Sequence, residues 1–125
     1  MNKNSCRTYF QICGNADSGE ILNELELTDV RVTEKDGTTK IDVGYNDSYA
    51  VDINDMLRVT LSELFGKEER LRELKSTLSL DYYLVTVPEL VKDSDEPHPI
   101  LSLDSDIIEF LYLSKAEHDL DYYIY

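Results

Sequence analysis

The sequence predicts an α+β fold built from several strands and three to four helices. Two patterns lead to this prediction. Several segments rich in β-branched and aromatic residues alternate between apolar and polar positions, which is typical of half-buried strands. Other segments place leucine and isoleucine three or four positions apart, as on the buried side of a helix. A chain of 125 residues can bury about two thirds of its unfolded surface, so we expect residues 1–125 to form a single domain.

The first half of the chain predicts a strand, a helix and a hairpin. Residues 7–13, RTYFQIC, have the two-residue period of a strand. Asp17 stands three positions before a glutamate, a carboxylate variant of the capping box, and predicts the start of a helix of about ten residues. Asp36 and Gly37 between two β-branched runs are typical of a hairpin turn, and residues 46–48, NDS, predict another turn.

The second half of the chain predicts three more helices and two more strands. Their limits follow from capping acids, from a helix-ending glycine and from proline, which has no N–H to give to a sheet. In chain order we expect a helix capped by Asp52 and closed by Gly66, a helix over residues 68–78 and a strand over residues 81–87 stopped by Pro88. After them we expect an exposed loop over residues 92–99, a helix capped by Asp104 or Asp106 with Ile107, Ile108, Leu111 and Phe110 facing inward, and a strand over residues 118–125.

The net charge of the chain is unusually negative. Twenty-six acidic residues against twelve basic ones give a formal net charge of -14, whereas small soluble domains typically stay within about 2 to 8 in magnitude. Residues 93–125 hold nine of the acids and a single lysine, and so carry -8 of the -14. Such a field repels nucleic-acid phosphates and anionic membranes and speeds the encounter with basic proteins. We expect a basic protein partner, no direct nucleic-acid binding and no membrane binding; the alternative is an acidic surface that serves only solubility.

Nothing in the sequence predicts export or membrane insertion. The first ten residues, MNKNSCRTYF, contain no apolar run of signal-peptide length, and no segment reaches the roughly 18 apolar residues of a membrane span. Cys6 and Cys13 are seven positions apart in one predicted strand, so their side chains point to opposite faces and do not pair. We therefore expect two reduced thiols and a cytoplasmic protein.

The sequence contains no pattern typical of a catalytic or metal site. His98 and His118 lack the spacing of a zinc site, and we expect both to be exposed. The acids between Asp93 and Asp106 lack the glycine and the spaced glutamate of a calcium loop. Neither a nucleophile elbow nor a phosphate-binding glycine loop is found. We expect a protein that is not an enzyme and that uses no metal and no cofactor.

The tetrapeptide LDYY occurs twice, at residues 80–83 and at residues 120–123. Each copy follows a predicted helix, and strand alternation places one tyrosine inward with the aliphatic residues and its neighbour on the other face. The repeat thus predicts one helix-to-strand connection used twice rather than a duplicated binding motif. The two faces of the last strand carry different chemistry, with Leu120, Tyr122 and Ile124 on one and Asp119, Asp121, Tyr123 and Tyr125 on the other.

The ends of the chain resemble a known family. The opening Tyr9-Phe10-x-Ile12-x-Gly14 and the close at Leu120-Asp121 are similar to those of a widespread family of small bacterial domains of unknown function. The resemblance covers most of the chain, including Ile21, Leu25 and Leu27. It implies a two-layer sandwich of mainly antiparallel strands with helices on one face and a short strand near residues 101–103, and it implies no established activity. In size and acidity the chain also resembles the immunity proteins with which bacteria neutralise toxins, without a shared motif.

These observations lead to one functional hypothesis and two alternatives. We expect an acidic binding protein, a monomer or weak homodimer, that docks on a basic protein and inhibits it, as an immunity protein inhibits a toxin enzyme. The alternatives are a nucleic-acid mimic that inhibits a DNA-binding enzyme, and a metabolite-binding domain with a pocket between sheet and helices near Tyr45, Tyr49 or Tyr83. The expected contact residues combine carboxylates with the tyrosines typical of interfaces, and are Asp93, Asp95, Glu96, Asp104, Asp106, Asp119, Asp121, Tyr123 and Tyr125.

Overall fold

Within residues 4–49, 52–92 and 101–125, which the computed structural model describes, the chain forms six strands and four helices. Helix α3 has the limits predicted from the sequence, whereas α1 is shorter than predicted, with eight residues, and α2 ends at Thr60 rather than at Gly66. No helix in this described part is long and apolar enough to cross a membrane. In chain order the elements are β1 (Ser5–Gly14), α1 (Ser18–Leu25), β2 (Val30–Lys35), β3 (Thr38–Ser48), α2 (Ile53–Thr60), α3 (Glu68–Leu78), β4 (Asp81–Leu90), α4 (Ser105–Ser114), β5 (Glu117–Leu120) and β6 (Tyr123–Ile124).

The strands form one open mixed sheet in the order β2-β3-β1-β4-β5, and β6 continues the outer edge by pairing with β4. The pairs β2–β3, β3–β1 and β1–β4 are antiparallel, whereas β5 and β6 run parallel to β4. Parallel neighbours need a crossover connection, and α4 lies in the one between β4 and β5. The predicted α+β class is therefore confirmed.

The described helices all place buried side chains against the same face of the sheet. Strands β1, β3 and β4 contribute alternate residues to this core, whose members are at most 8% exposed. Complete burial of one such aliphatic side chain contributes about 1.5–3 kcal/mol to stability. The predicted packing of helices on one face is thus confirmed. The core includes Phe10, Ile12, Ile41, Val43, Tyr82 and Leu84 from the sheet and Ile21, Leu25, Ile53, Leu57, Leu71, Leu74, Ile107 and Phe110 from the helices.

Local chemistry determines where α2 begins and where the hairpin turns. The Asp52 carboxylate accepts hydrogen bonds from the backbone N–H groups of Asn54 and Asp55, which would otherwise lack a partner in the first turn. Asp36 and Gly37 both have positive φ, 54° and 79°, as a two-residue type I′ hairpin requires. Both features therefore occur where the sequence predicts them.

Two predicted strand limits are wrong because neighbouring strands extend past them. The predicted turn at residues 46–48 is part of β3, since Cys6 of β1 pairs with Ser48 there. Pro88 does not stop β4, which runs on to Leu90 with Pro88 opposite Cys6. A long central strand therefore fixes the ends of its neighbours more strongly than their local turn and proline signals do.

Several side chains differ from their predicted exposure. Ile108 of α4 is 53% exposed, because Ile107 and Phe110 occupy the core positions of that helix. His118 is half-buried rather than exposed, and its Nε2 atom lies 3.0 Å from the hydroxyl of Thr86. Residues 101–104, where the family resemblance implies a short strand, have no regular secondary structure.

Candidate binding surface

The face of the sheet opposite the core is the candidate binding surface, which we call the open face. On β1 the fully buried Phe10 and Ile12 belong to the core, whereas Tyr9 and Gln11 point the other way and are half-buried. Most side chains on this second face stay in contact with solvent, because the described helices all pack on the first. The residues that define the open face are Arg7, Tyr9, Arg31, Asp42, Tyr45, Tyr83 and Asp119.

Three side chains form a stacked row across β2, β3 and β1. The guanidinium carbon of Arg31 lies 3.8 Å from the ring centroid of Tyr45, in a cation–π contact. The rings of Tyr45 and Tyr9 stack with centroids 5.8 Å apart and planes inclined by 23°. On the next strand Val85 lies opposite Tyr9 and is 6% exposed. The open face therefore presents two stacked rings and a guanidinium beside the nearly buried Val85.

The tyrosines of the open face feel both burial and nearby carboxylates. Burial raises the pKa of the Tyr9 hydroxyl, and Asp42 and Asp119 raise it further. The pKa of Tyr83 is also raised, chiefly by Asp81, and Asp119 acts in the same direction. Asp119 therefore lies within electrostatic reach of both phenols. A tyrosine hydroxyl is protonated at neutral pH because its ordinary pKa is about 10, and the raised pKa values of Tyr9 and Tyr83 act in the same direction. Both hydroxyls are therefore available as hydrogen-bond donors.

Four of the predicted contact residues lie together at the C-terminal end of the sheet. Asp119 and Asp121 are exposed, and the Tyr123 hydroxyl donates a hydrogen bond of 3.2 Å to the Asp121 carboxylate. This bond raises the pKa of Tyr123. Tyr123 is 43% exposed and Tyr125 is 68% exposed. The bond between positions 121 and 123 agrees with the predicted alternation, in which odd-numbered side chains share one face.

Asp104 and Asp106 make a different contact. At the start of α4 both carboxylates form ion pairs with the Arg58 guanidinium of α2, and Arg58 Nη2 lies 3.3 Å from Asp106 Oδ1. The hydrogen bonds from Arg58 lower the pKa of Asp106. These two acids therefore brace one helix against another, and their charge is partly compensated. Outside the described residues lie the three remaining predicted contact residues, Asp93, Asp95 and Glu96.

Sequence reasoning missed the part of the open face that the first three strands form. It placed Tyr45 and Tyr83 near a pocket between sheet and helices, but both lie on the opposite side of the sheet. A signal was available for Tyr9, because strand alternation requires it to point away from the core residue Phe10. The stack on Tyr45 was not predictable, because it depends on the register between β1 and β3.

A groove and the open face are separate features of the described residues. Across residues 4–49, 52–92 and 101–125, no three His, Cys, Asp or Glu side chains lie close enough together to hold a metal ion. A groove of about 680 Å³ lies between the ends of α3 and α4, and Lys75 forms an ion pair of 3.8 Å with Asp81 at its rim. This groove shares no lining residue with the open face. The open face offers stacking and hydrogen bonding, and it carries both signs of charge, with Arg7 and Arg31 on the same face as Asp42 and Asp119.

A comparison with known families bears on the whole domain. The family model described as Domain of unknown function (DUF4279) matches residues 4–125. The chain belongs to this family. No curated protein and no solved structure matches the chain. The DUF4279 match confirms the family resemblance of the sequence and includes every strand of the open face, but it carries no activity. The chemistry of the open face is therefore the basis for a functional proposal.

Proposed function

We propose that this DUF4279 protein is an acidic binding protein that docks on a basic protein through the open face and the C-terminal strand. The observation that carries the proposal is the position of Asp119, which pairs with Val85 on the uncovered side of the sheet, in the same cross-strand row as Tyr9. Tyrosine provides a large contact area at a small entropic cost, and carboxylates near it select a cationic partner.

Among the described residues, the absence of ion pairs at two of the predicted contact acids, Asp119 and Asp121, supports a cationic partner. Among the ion pairs of the described residues, none involves Asp119 or Asp121, whereas Asp104 and Asp106 are both paired with Arg58. Uncompensated carboxylates beside exposed rings attract lysine and arginine over a distance of about one Debye length, roughly 8 Å at physiological salt. The net charge of -14 adds a long-range attraction for the same class of partner.

The specific form of the proposal is an immunity protein. In this form the open face covers a basic surface of a toxin enzyme in the cytoplasm and blocks it without any chemistry of its own. A nucleic-acid mimic is the second form, since carboxylates also replace phosphates in a basic groove. The two forms differ in selectivity, because a mimic inhibits several unrelated DNA-binding enzymes and an immunity protein inhibits one toxin.

A pull-down from host lysate at low and at moderate salt tests the proposal. We expect the tagged protein to retain one basic protein at both salt concentrations. The variant Asp119→Lys/Asp121→Lys should associate with that protein at least about tenfold more slowly at low salt, because it reverses the local field. Its melting temperature should stay near that of the wild type, since both side chains are exposed.

A matched control variant distinguishes the local effect of Asp119 and Asp121 from the effect of the overall net charge. Glu69→Lys/Glu73→Lys changes the net charge by the same amount on exposed positions of α3 and should leave the association rate nearly unchanged. An equal loss of rate in both variants would show that only net charge matters. Loss of all captured proteins together at moderate salt would show that the acidity is non-specific.

A further inference from the structure

β5 and β6 together form one continuous outer strand. Tyr83 pairs with Glu117 and Leu90 with Ile124 in an unchanged parallel register. Between the two elements the Asp121 N–H still donates to the Thr86 carbonyl at 3.0 Å. The hydrogen-bond ladder between β4 and this strand is interrupted at Pro88. In this register the residue at position 88 would donate its backbone N–H to the Asp121 carbonyl, and proline has no N–H. The chain from residue 117 to residue 125 therefore presents a single edge.

The backbone groups of this edge alternate between two directions. Asp121 and Tyr125 donate to β4, and Tyr125 also accepts a hydrogen bond of 2.8 Å from Lys92. In a strand, alternate residues direct their N–H and C=O groups to opposite sides, so the even-numbered residues point away from β4. Within the described part of the chain, no backbone group is bonded to the outward N–H groups of Leu120, Tyr122 or Ile124.

The side chains of the edge are divided between an acidic and an apolar face. Glu117, Asp119 and Asp121 are exposed on the side of the open face. On the other side Tyr122 is 56% and Ile124 is 69% exposed. A strand added to this edge would meet carboxylates on one face and apolar groups on the other.

The charged side chains of this edge, Glu117, Asp119 and Asp121, are all acidic. Sheet edges in natural proteins are commonly blunted by lysine or proline, and residues 117–125 contain neither. The opposite edge, β2, carries Arg31, Glu34 and Lys35. A second copy of the chain is a poor partner for the C-terminal edge, because antiparallel pairing would bring the carboxylates of two identical strands together.

We propose that the C-terminal edge accepts an extended segment of the basic partner as an additional strand. The segment alternates lysine or arginine, which face Glu117, Asp119 and Asp121, with apolar residues, which pack beside Tyr122 and Ile124. Backbone hydrogen bonds to the even-numbered residues give affinity, and the alternation gives specificity. This inference rests on the proposed function for the basic nature of the partner.

A short peptide in which lysine and valine alternate, matched in length to β5 and β6 together, is the probe. We expect the peptide to slow amide hydrogen exchange at Leu120, Tyr122 and Ile124 by at least about tenfold, because those N–H groups gain acceptors. The amides of Asp121 and Tyr125, which already donate to β4, should change little. A peptide of the same composition with its lysines in one block, and one with glutamate in place of lysine, should not produce the pattern.

A proline substitution tests the role of the backbone. Tyr122→Pro and Tyr122→Ala both remove the ring, but only the proline removes the outward N–H. We expect Tyr122→Pro to bind the alternating peptide at least about tenfold more weakly than Tyr122→Ala. If Tyr122→Pro lowers the melting temperature, Ile124→Pro and Ile124→Ala give the same comparison nearer the chain end. Equal binding by the folded proline and alanine variants, or equal protection by the alternating and block peptides, would overturn the inference.

The remaining outcomes distinguish this inference from the proposed function. Retention of the same lysate protein by wild type and by Tyr122→Pro would overturn the edge inference and leave the proposed function standing. Failure of the wild type to retain any basic protein would overturn the proposed function. It would also overturn the inference that the added strand comes from a basic protein. Protection of the even-numbered amides without peptide, together with a concentration-dependent dimer mass, would assign the edge to a second copy and overturn the inference.

Discussion

Gly44 shows how a single residue sets the spacing between the two layers. Its φ of +64° lies in the left-handed region, and an added Cβ would overlap the backbone of Thr60 at the end of α2. The Thr60 hydroxyl donates a hydrogen bond of 2.9 Å to the Gly44 carbonyl and lies 2.7 Å from the hydroxyl of Thr8. All three residues are buried, so β3, α2 and β1 meet here through satisfied polar groups.

The substitution Gly44→Ala should lower the free energy of unfolding by about 2–5 kcal/mol. About 1–2 kcal/mol comes from the left-handed conformation and about 1–3 kcal/mol from overpacking against Thr60. Urea unfolding of wild type and variant measures the difference. Gly37→Ala is the matched control, since its φ of +79° is similar but nothing lies within 4 Å of the added Cβ. Gly37→Ala should lower the free energy of unfolding only by the contribution of the left-handed conformation. Equal losses in the two variants would rule out the contact between position 44 and Thr60 as a cause.

At the scale of elements, the helices and the hairpin could be predicted because their signals are local. Leucine spacing after the helix-ending Gly66 predicted α3, and Asp36 with Gly37 predicted the hairpin. The strand ends could not be predicted, because residues 46–48 and Pro88 pair with β1, which is distant in sequence. Pro88 is tolerated because its missing N–H would point toward the outer strand formed by β5 and β6, so the pairing of β4 with β1 is kept.

Glu63, in the turn after α2, holds the connection between α1 and β2. Its carboxylate accepts hydrogen bonds from the Thr28 N–H at 2.9 Å, the Thr28 hydroxyl at 2.8 Å and the Asp29 N–H at 2.9 Å. Burial alone would raise the pKa of Glu63, but these bonds outweigh it, so that the pKa is lowered. The ionised carboxylate therefore stabilises the folded chain above the unfolded pKa of glutamate, about 4.3.

Glu63→Gln should reduce the free energy of unfolding at pH 7 by about 1 kcal/mol, because one charged acceptor is lost from a partly exposed site. The difference should disappear as the pH falls through the lowered pKa of Glu63, where the wild-type carboxyl is also protonated. Urea unfolding at about pH 7 and at about pH 3 measures both values. Glu69→Gln, at an exposed position of α3, should show no difference at either pH. A difference for Glu63→Gln that persists at low pH would contradict the role of its charge.

At the scale of the whole molecule, the sequence located only part of the candidate surface. It identified Asp119, Asp121, Tyr123 and Tyr125 from the alternation of one strand, which is a local property. It did not foresee the contact of Arg58 with the acids of α4 or the open face around Tyr9, because each depends on which elements become neighbours. Net charge and composition predict the class of partner. Which charged side chains lie on the candidate surface depends on the order of the strands in the sheet.

Added salt should stabilise the folded protein. A net charge of -14 repels itself more strongly in the compact state than in the unfolded chain. Raising NaCl from about 10 mM to about 150 mM shortens the Debye length from about 30 Å to about 8 Å and weakens this repulsion. Urea unfolding should show a higher free energy at the higher salt, and KCl at equal ionic strength should give the same increase. A decrease would mean that ion pairs such as Arg58 with Asp106 outweigh the repulsion.

The central position of β1 has a consequence for the order of events in folding. Its two neighbours, β3 and β4, come later in the chain, and Ser5 must find Glu89 to complete the β1–β4 ladder. The β2–β3 hairpin needs only a two-residue turn and can form first, whereas the β1–β4 ladder must close a long loop. We expect a slow, single-barrier reaction in which β1 enters between preformed neighbours. Substitutions in the hairpin turn should therefore mainly slow refolding, whereas those at Phe10 should slow refolding and also speed unfolding.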